Sequence, residues 1–184
     1  MTALRALPIL TSDEKTNKEK KMSKRSYELA RRLELGALAL EAFAGSLTEF
    51  EWQCRLPHDG RKIGVVVHHV ASVYPLEIEL ARTVAKGEAV EGLTMDFINK
   101  MNAEHATKFD GVKKEETIEL LKQNSAAAAT AIRELSDDEL DQAVPVSLYA
   151  NALVTCQFVL EDHAVRHSIH HLARIQAALT PRAA

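Results

Sequence analysis

Four long stretches of this 184-residue chain repeat their apolar residues every three or four positions, which commits most of the sequence to amphipathic helix. The first runs from about Arg25 to Leu47, with Leu29, Leu33, Leu40, Phe43 and Leu47 on one face. The second runs from about Lys62 to Lys86, with Ile63, Val66, Val70, Val73, Leu80 and Val84 as its inward stripe. Its valine-rich centre, GVVVHHV, would suit a strand, but the 3.6-residue period continues on both sides. Pro75 predicts a kink or break near Ser72–Tyr74, because proline removes a helical hydrogen bond. A third helix is expected from Glu115 to Leu135, its small-residue centre, Ser125 to Thr130, allowing close packing. The fourth is expected from Ala152 to Leu179, and a shorter one from Thr94, a capping residue, to Phe109.

Between these stretches lie a loop around Pro57 and Asp59-Gly60, a stop at Gly87, a short helical turn within Asp137–Val144, and a long connection from Pro145 to Asn151. With only 7 glycines and 5 prolines the chain has few tight turns, so an all-α bundle is favoured over a sandwich or barrel. Residues 1–24, rich in lysine and without an apolar period past Leu10, read as a disordered tail; Met22 is a second candidate start. Residues 25–184 read as a single domain.

Formal net charge is -3, which argues against a nucleic-acid partner. No run reaches the roughly 18 apolar residues of a membrane span. The start, MTALRALPILTSDEK, charges too quickly for a secretory signal. Cys54 and Cys156 suggest neither a disulfide framework nor a zinc knuckle, and a cytoplasmic location is expected.

Six of the eight histidines fall in two clusters: His68-His69, and His163, His167, His170 and His171. Residues four apart share a helix face, so His163, His167 and His171 form a ladder. The apolar face of that helix centres on Val165, Ser168, Leu172, Ile175 and Leu179, and His167 and His171 lie at its edge. His69 lies on the inward stripe of the second long helix; His68 is rotated away from it. Two imidazoles four residues apart can chelate one ion, and a third from another helix closes the site. His69, His167 and His171 are therefore the candidate ligands for a divalent metal: zinc, nickel or iron. Three protein ligands leave an open position, the pattern of a catalytic rather than a structural site. A lone inward histidine is more often satisfied by a carbonyl or water; the three together change that balance.

Other residues are weighed against this site. His105 would reach it only if the short helix packs over the bundle mouth. Glu77 is roughly 12 Å from His69 by helical rise and cannot share its ion, so a pairing with a cation or water is expected. Trp52 should pack across the end of the first helix. Cys156 reads as a small core residue, and Cys54 as a loop thiol without a basic partner. Two Glu-x-x-His pairs, HExxH, phosphate-binding glycine loops and GxSxG are all missing from the sequence, which excludes the di-iron, metalloprotease, nucleotide-binding and serine-hydrolase readings.

GVVVHHVASVYPLEIEL and EDHAVRHSIHHLARI resemble the second-helix and last-helix segments of the DinB/YfiT-like four-helix-bundle proteins. The resemblance spans about Tyr27 to Leu179. It implies an up-down-down-up bundle with a long crossover, and a metal triad on His69, His167 and His171. It implies a homodimer acting on a small-molecule substrate with a low-molecular-weight thiol, since relatives include bacillithiol- or mycothiol-dependent transferases and a maleylpyruvate isomerase. Where the family often has glutamine or glutamate, this chain has Arg174, either a cation favouring an anionic substrate or a solvent-facing residue. His163 and His170 are additional: supporting partners, alternate ligands or, for His170, surface. Three functions remain open: a metal-dependent transferase or isomerase, a non-catalytic metal-binding or sensing module, and a metal-free dimeric scaffold.

Overall fold

The computed structural model describes residues 23–57 and 59–180. Most of the expected tail, with Met22, lies outside the described residues. Helix α1 (Lys24–Ser46) begins where the Ser23 hydroxyl accepts from the Ser26 N–H. It buries Leu29, Leu33 and Leu40, as the apolar period requires. A short α2 (Glu49–Gln53) follows, fixed by a capping box between Thr48 and Glu51. It seats Trp52, whose indole N–H donates to the Val112 carbonyl at 3.1 Å. Gly64 faces that indole so closely that a Cβ would stand 2.4 Å from it, which makes glycine necessary there.

Helix α3 (Ile63–Ala85) runs without a break through Pro75. The helix is not broken there, and a neighbouring helix compensates for the proline. Proline leaves the carbonyl four residues back, that of Ala71, without its helical donor. The side-chain amide of Asn124, on α5 (Lys114–Arg133), donates to that carbonyl at 2.8 Å. Helix α3 is long and apolar enough to cross a bilayer by composition, but 72% of that apolar window is buried inside the bundle.

The four long helices form an up-down-down-up bundle, as their end contacts show. Lys114 at the start of α5 reaches the Leu47 carbonyl after α1, so those two are antiparallel. Arg82 and Glu134 pair near the C-terminal ends of α3 and α5, so those two are parallel. Parallel neighbours require a crossover, and it carries α4 (Met95–Lys108), the short extra helix expected from Thr94. The last long helix lies parallel to α1, with Arg25 on Gln157 and Arg32 on Glu161.

The approach to that last helix differs from the expectation of helix from Ala152. After α6 (Asp137–Asp141), β1 (Ala143–Val146) pairs antiparallel with β2 (Ala152–Thr155), Val144 opposite Val154. A 3-10 turn, Ser147–Tyr149, and two residues with positive φ, Ala150 at 55° and Asn151 at 61°, close the hairpin. Helix begins only at α7 (Cys156–Leu160), where the Thr155 hydroxyl caps Phe158. A π turn, Glu161–Val165, leads into α8 (Arg166–Leu179), and the three segments run on as one helix.

Asn124→Ala should destabilise the fold by about 1–3 kcal/mol, the cost of stranding a buried carbonyl. Pro75→Ala restores the missing N–H, so the same Asn124 change should cost much less in that background. A denaturant-unfolding double-mutant cycle checks this.

Candidate metal centre

The last helix runs antiparallel to α3, and their facing sides bring histidines together. Tyr74 of α3 and Ser168 of α8 share a buried hydroxyl hydrogen bond at 2.6 Å. One turn further on α3 is Glu77, and beside Ser168 is His167. The Nδ1–H of His167 donates to Oε1 of Glu77 in a short hydrogen bond. An ionised carboxylate can only accept, so a proton sits on Nδ1, and Nε2 is the ring nitrogen of His167 available to a metal. That Nε2 stands 3.2 Å from Nε2 of His69.

His171, one turn beyond His167, completes the group. Each of His69, His167 and His171 offers one ring nitrogen, and these three atoms lie within 4.8 Å of one another. His69 and His171 are both buried. Burial, reinforced by neighbouring His167, depresses the His69 pKa from 6.5 to about 3, and the same two causes depress that of His171. Both rings are therefore neutral at ordinary pH, the form that binds metal. Nδ1 of His171 is buried with no hydrogen-bond partner among the described residues.

This donor set fits a divalent transition metal. Nitrogen ligands about 2.0–2.1 Å from one tetrahedral ion stand about 3.3 Å apart, close to the His69–His167 spacing. The carboxylate behind His167 is the outer partner that a metal-binding imidazole commonly has. A four-helix bundle with three facing histidines, one of them backed by a carboxylate, is the class of protein that the fold and site define.

Sequence comparison agrees: residues 32–175 match the DinB superfamily, and the chain belongs to that family. No curated protein matches it. Among solved structures it is similar to YfiT from Bacillus subtilis, described as a probable metal-dependent hydrolase with an unusual four-helix bundle topology. The TM-score is 0.68 at 17% identity, over 86% of this chain and 89% of that one, which supports the shared fold.

The other expected residues separate. Glu77 does pair, as expected, but its partner is His167 rather than a separate cation or water. His105 does reach the neighbourhood, with its ring centre 5.5 Å from that of His69. Its Nε2, however, contacts Nδ1 of His68 at 2.9 Å and the Ser72 hydroxyl at 3.3 Å. Arg174 is paired to Asp59 at 3.2 Å, which also holds Arg61. His170 is exposed. Cys156 is fully buried, and burial pushes its thiol up to about 11. Cys54 sits half-buried at the end of α2.

His163 lies within the π turn and lines the same cleft as His167 and His171. It contacts the Tyr149 hydroxyl at 3.0 Å, and Tyr149 donates to Asp162 at 2.6 Å. Tyr149 was not legible as a site residue, since the hairpin that carries it was not expected. Glu77 was more legible: it lies seven residues after Val70, on the inward stripe.

The centre opens into a cleft of about 830 Å³ bounded by α3, α4, the hairpin and the last helix. Glu77→Gln should preserve the fold yet lower affinity for zinc about 10- to 100-fold, because the amide no longer fixes the His167 tautomer by charge. Competition titration with a zinc chelator measures this.

Proposed function

We propose that this protein is a metal-dependent enzyme acting on a small molecule in the cleft, with a low-molecular-weight thiol as co-substrate. The observation that carries this reading is that the three-histidine group lines the wall of an open cleft instead of being sealed in the core. The cleft volume lies within the range of about 300–1,000 Å³ usual for small-molecule sites. A structural or sensing site would not need such access.

His69, His167 and His171 would hold the ion, and Glu77 would keep His167 in its ligating tautomer. Bound there, a divalent ion supplies Lewis acidity and lowers the pKa of a water or thiol at its open positions. Among the described residues lining the cleft there is no serine or cysteine, so the nucleophile would come from solution. Tyr149, fixed by Asp162 and His163, lines the cleft. Burial and the Asp162 carboxylate raise its pKa, so it stays protonated. The expectations of a cytoplasmic homodimer, free of nucleic acid and membrane, accompany this reading.

The description of YfiT favours a second reading, hydrolysis, in which water takes the place of the thiol. The two are separated by steady-state assays of zinc-, nickel- and iron-loaded protein with aryl halides and with aryl esters, with and without thiol. A transferase shows turnover of the halide that saturates with thiol and stops on chelation. Thiol-independent ester cleavage would support the hydrolase instead, and no metal-dependent turnover of either substrate would contradict an enzymatic role.

A further inference from the structure

The wall of the cleft away from the histidines is built from two helices that do not bury their facing side chains against each other. From α3 come Leu76 and Leu80, and from α4 come Met95, Phe97, Ile98 and Met101. Leu76, Met95 and Phe97 remain 58%, 57% and 55% exposed. None of the 14 residues of α4 is buried. The helix is held at its ends: His105 grips His68 and Ser72, and just before the first turn the Leu93 N–H donates to the Ser147 hydroxyl at 2.9 Å. Between these two attachments its apolar side chains line the cleft. A packed core helix would bury such residues, whereas a wall kept for a ligand leaves them open.

The charges around the cleft narrow the class further. Among the described residues lining the cleft, Glu79, Glu91 and Asp162 stand against one arginine, Arg166, which itself pairs with Asp162 at 3.4 Å. Glu77 is taken by His167. Arg174, the residue that would have favoured an anionic substrate, is held by Asp59 and is not part of the lining. An anionic ligand would meet an excess of carboxylates, while a neutral apolar one would meet Leu80, Ile98 and Met101.

We propose that the substrate bound beside the histidines is a neutral molecule with an apolar body, seated between Leu76–Leu80 of α3 and Met95–Met101 of α4 with its reacting end toward the histidines. This rests on the proposed function for its reacting end, but the apolar subsite is a property of α3 and α4 themselves. It names the electrophile's body, not the thiol.

The test uses two fluorescent probes with the same skeleton, neutral N-phenyl-1-naphthylamine and its anionic counterpart 1-anilinonaphthalene-8-sulfonate, titrated into the full chain. The expected result is saturable binding of one neutral probe per chain, at least tenfold tighter than the sulfonate. Leu80→Asp and Met101→Asp should each weaken neutral-probe binding at least tenfold, while Leu38→Asp, on the exposed side of α1, should leave it unchanged. Far-UV circular dichroism and a cooperative thermal transition like those of the wild type in Leu80→Asp and Met101→Asp separate loss of the subsite from loss of folding. Neutral-probe binding that ignores the Leu80 and Met101 changes, or a tighter fit for the sulfonate, would overturn the inference. So would a dimer that blocks the cleft and dissociates with Leu80→Asp. Elemental analysis of the same samples keeps the two readings apart. Probe binding without metal uptake would overturn the metal reading alone, and metal uptake without probe binding would overturn this inference alone.

Discussion

The hydrogen bond between His167 and Glu77 is the contact on which the site depends. Glu77 is only 8% exposed, and a carboxylate that deep is costly unless a donor meets it. A donor from the opposite helix meets Oε1, while Oε2 is buried without a partner among the described residues, so the contact ties α3 to the last helix at this level. With Glu77 on His167, the buried Tyr74–Ser168 hydrogen bond falls one turn away, and His69 comes level with the second nitrogen of His167. This hydrogen bond and the Tyr74–Ser168 bond thus span the same pair of helices at the level where the three imidazoles converge.

Around this point the chain departs from regular structure several times. Pro75 lies two residues before Glu77 and is tolerated because Asn124 meets the carbonyl it strands. The π turn at Glu161–Val165 directly precedes the helix carrying His167 and His171. The hairpin tip places two non-glycine residues at positive φ immediately after Tyr149. Each departure carries a local energetic cost, and such costs concentrate where a site must be shaped. Here they bring Tyr149, Asp162 and His163 to the cleft wall beside the histidines.

The helices were legible in the sequence because their apolar period is strong, and Val66, Val70, Leu33 and Ile175 are buried as that period requires. The three histidines were legible for the same reason, since face and spacing alone place them on one side of each helix. Their contacts were not. Whether Glu77 meets His167 depends on the offset between two helices nearly a hundred residues apart, which no local pattern encodes. The hairpin was missed because its strands are only four residues long, and Pro145 reads as loop in isolation. The π turn was not legible because a count of 100° per residue assumes an unbroken α-helix.

The central claim is that His69, His167 and His171 together hold one divalent ion. Elemental mass spectrometry on protein made without a histidine tag tests it most directly, with wild type, His69→Ala and His171→Ala compared at equal folded content. The account predicts about one equivalent of zinc, nickel or iron per wild-type chain and near-complete loss in both variants. Equal, substoichiometric metal in all three would contradict it and leave the bundle as a scaffold with three histidines facing its cleft.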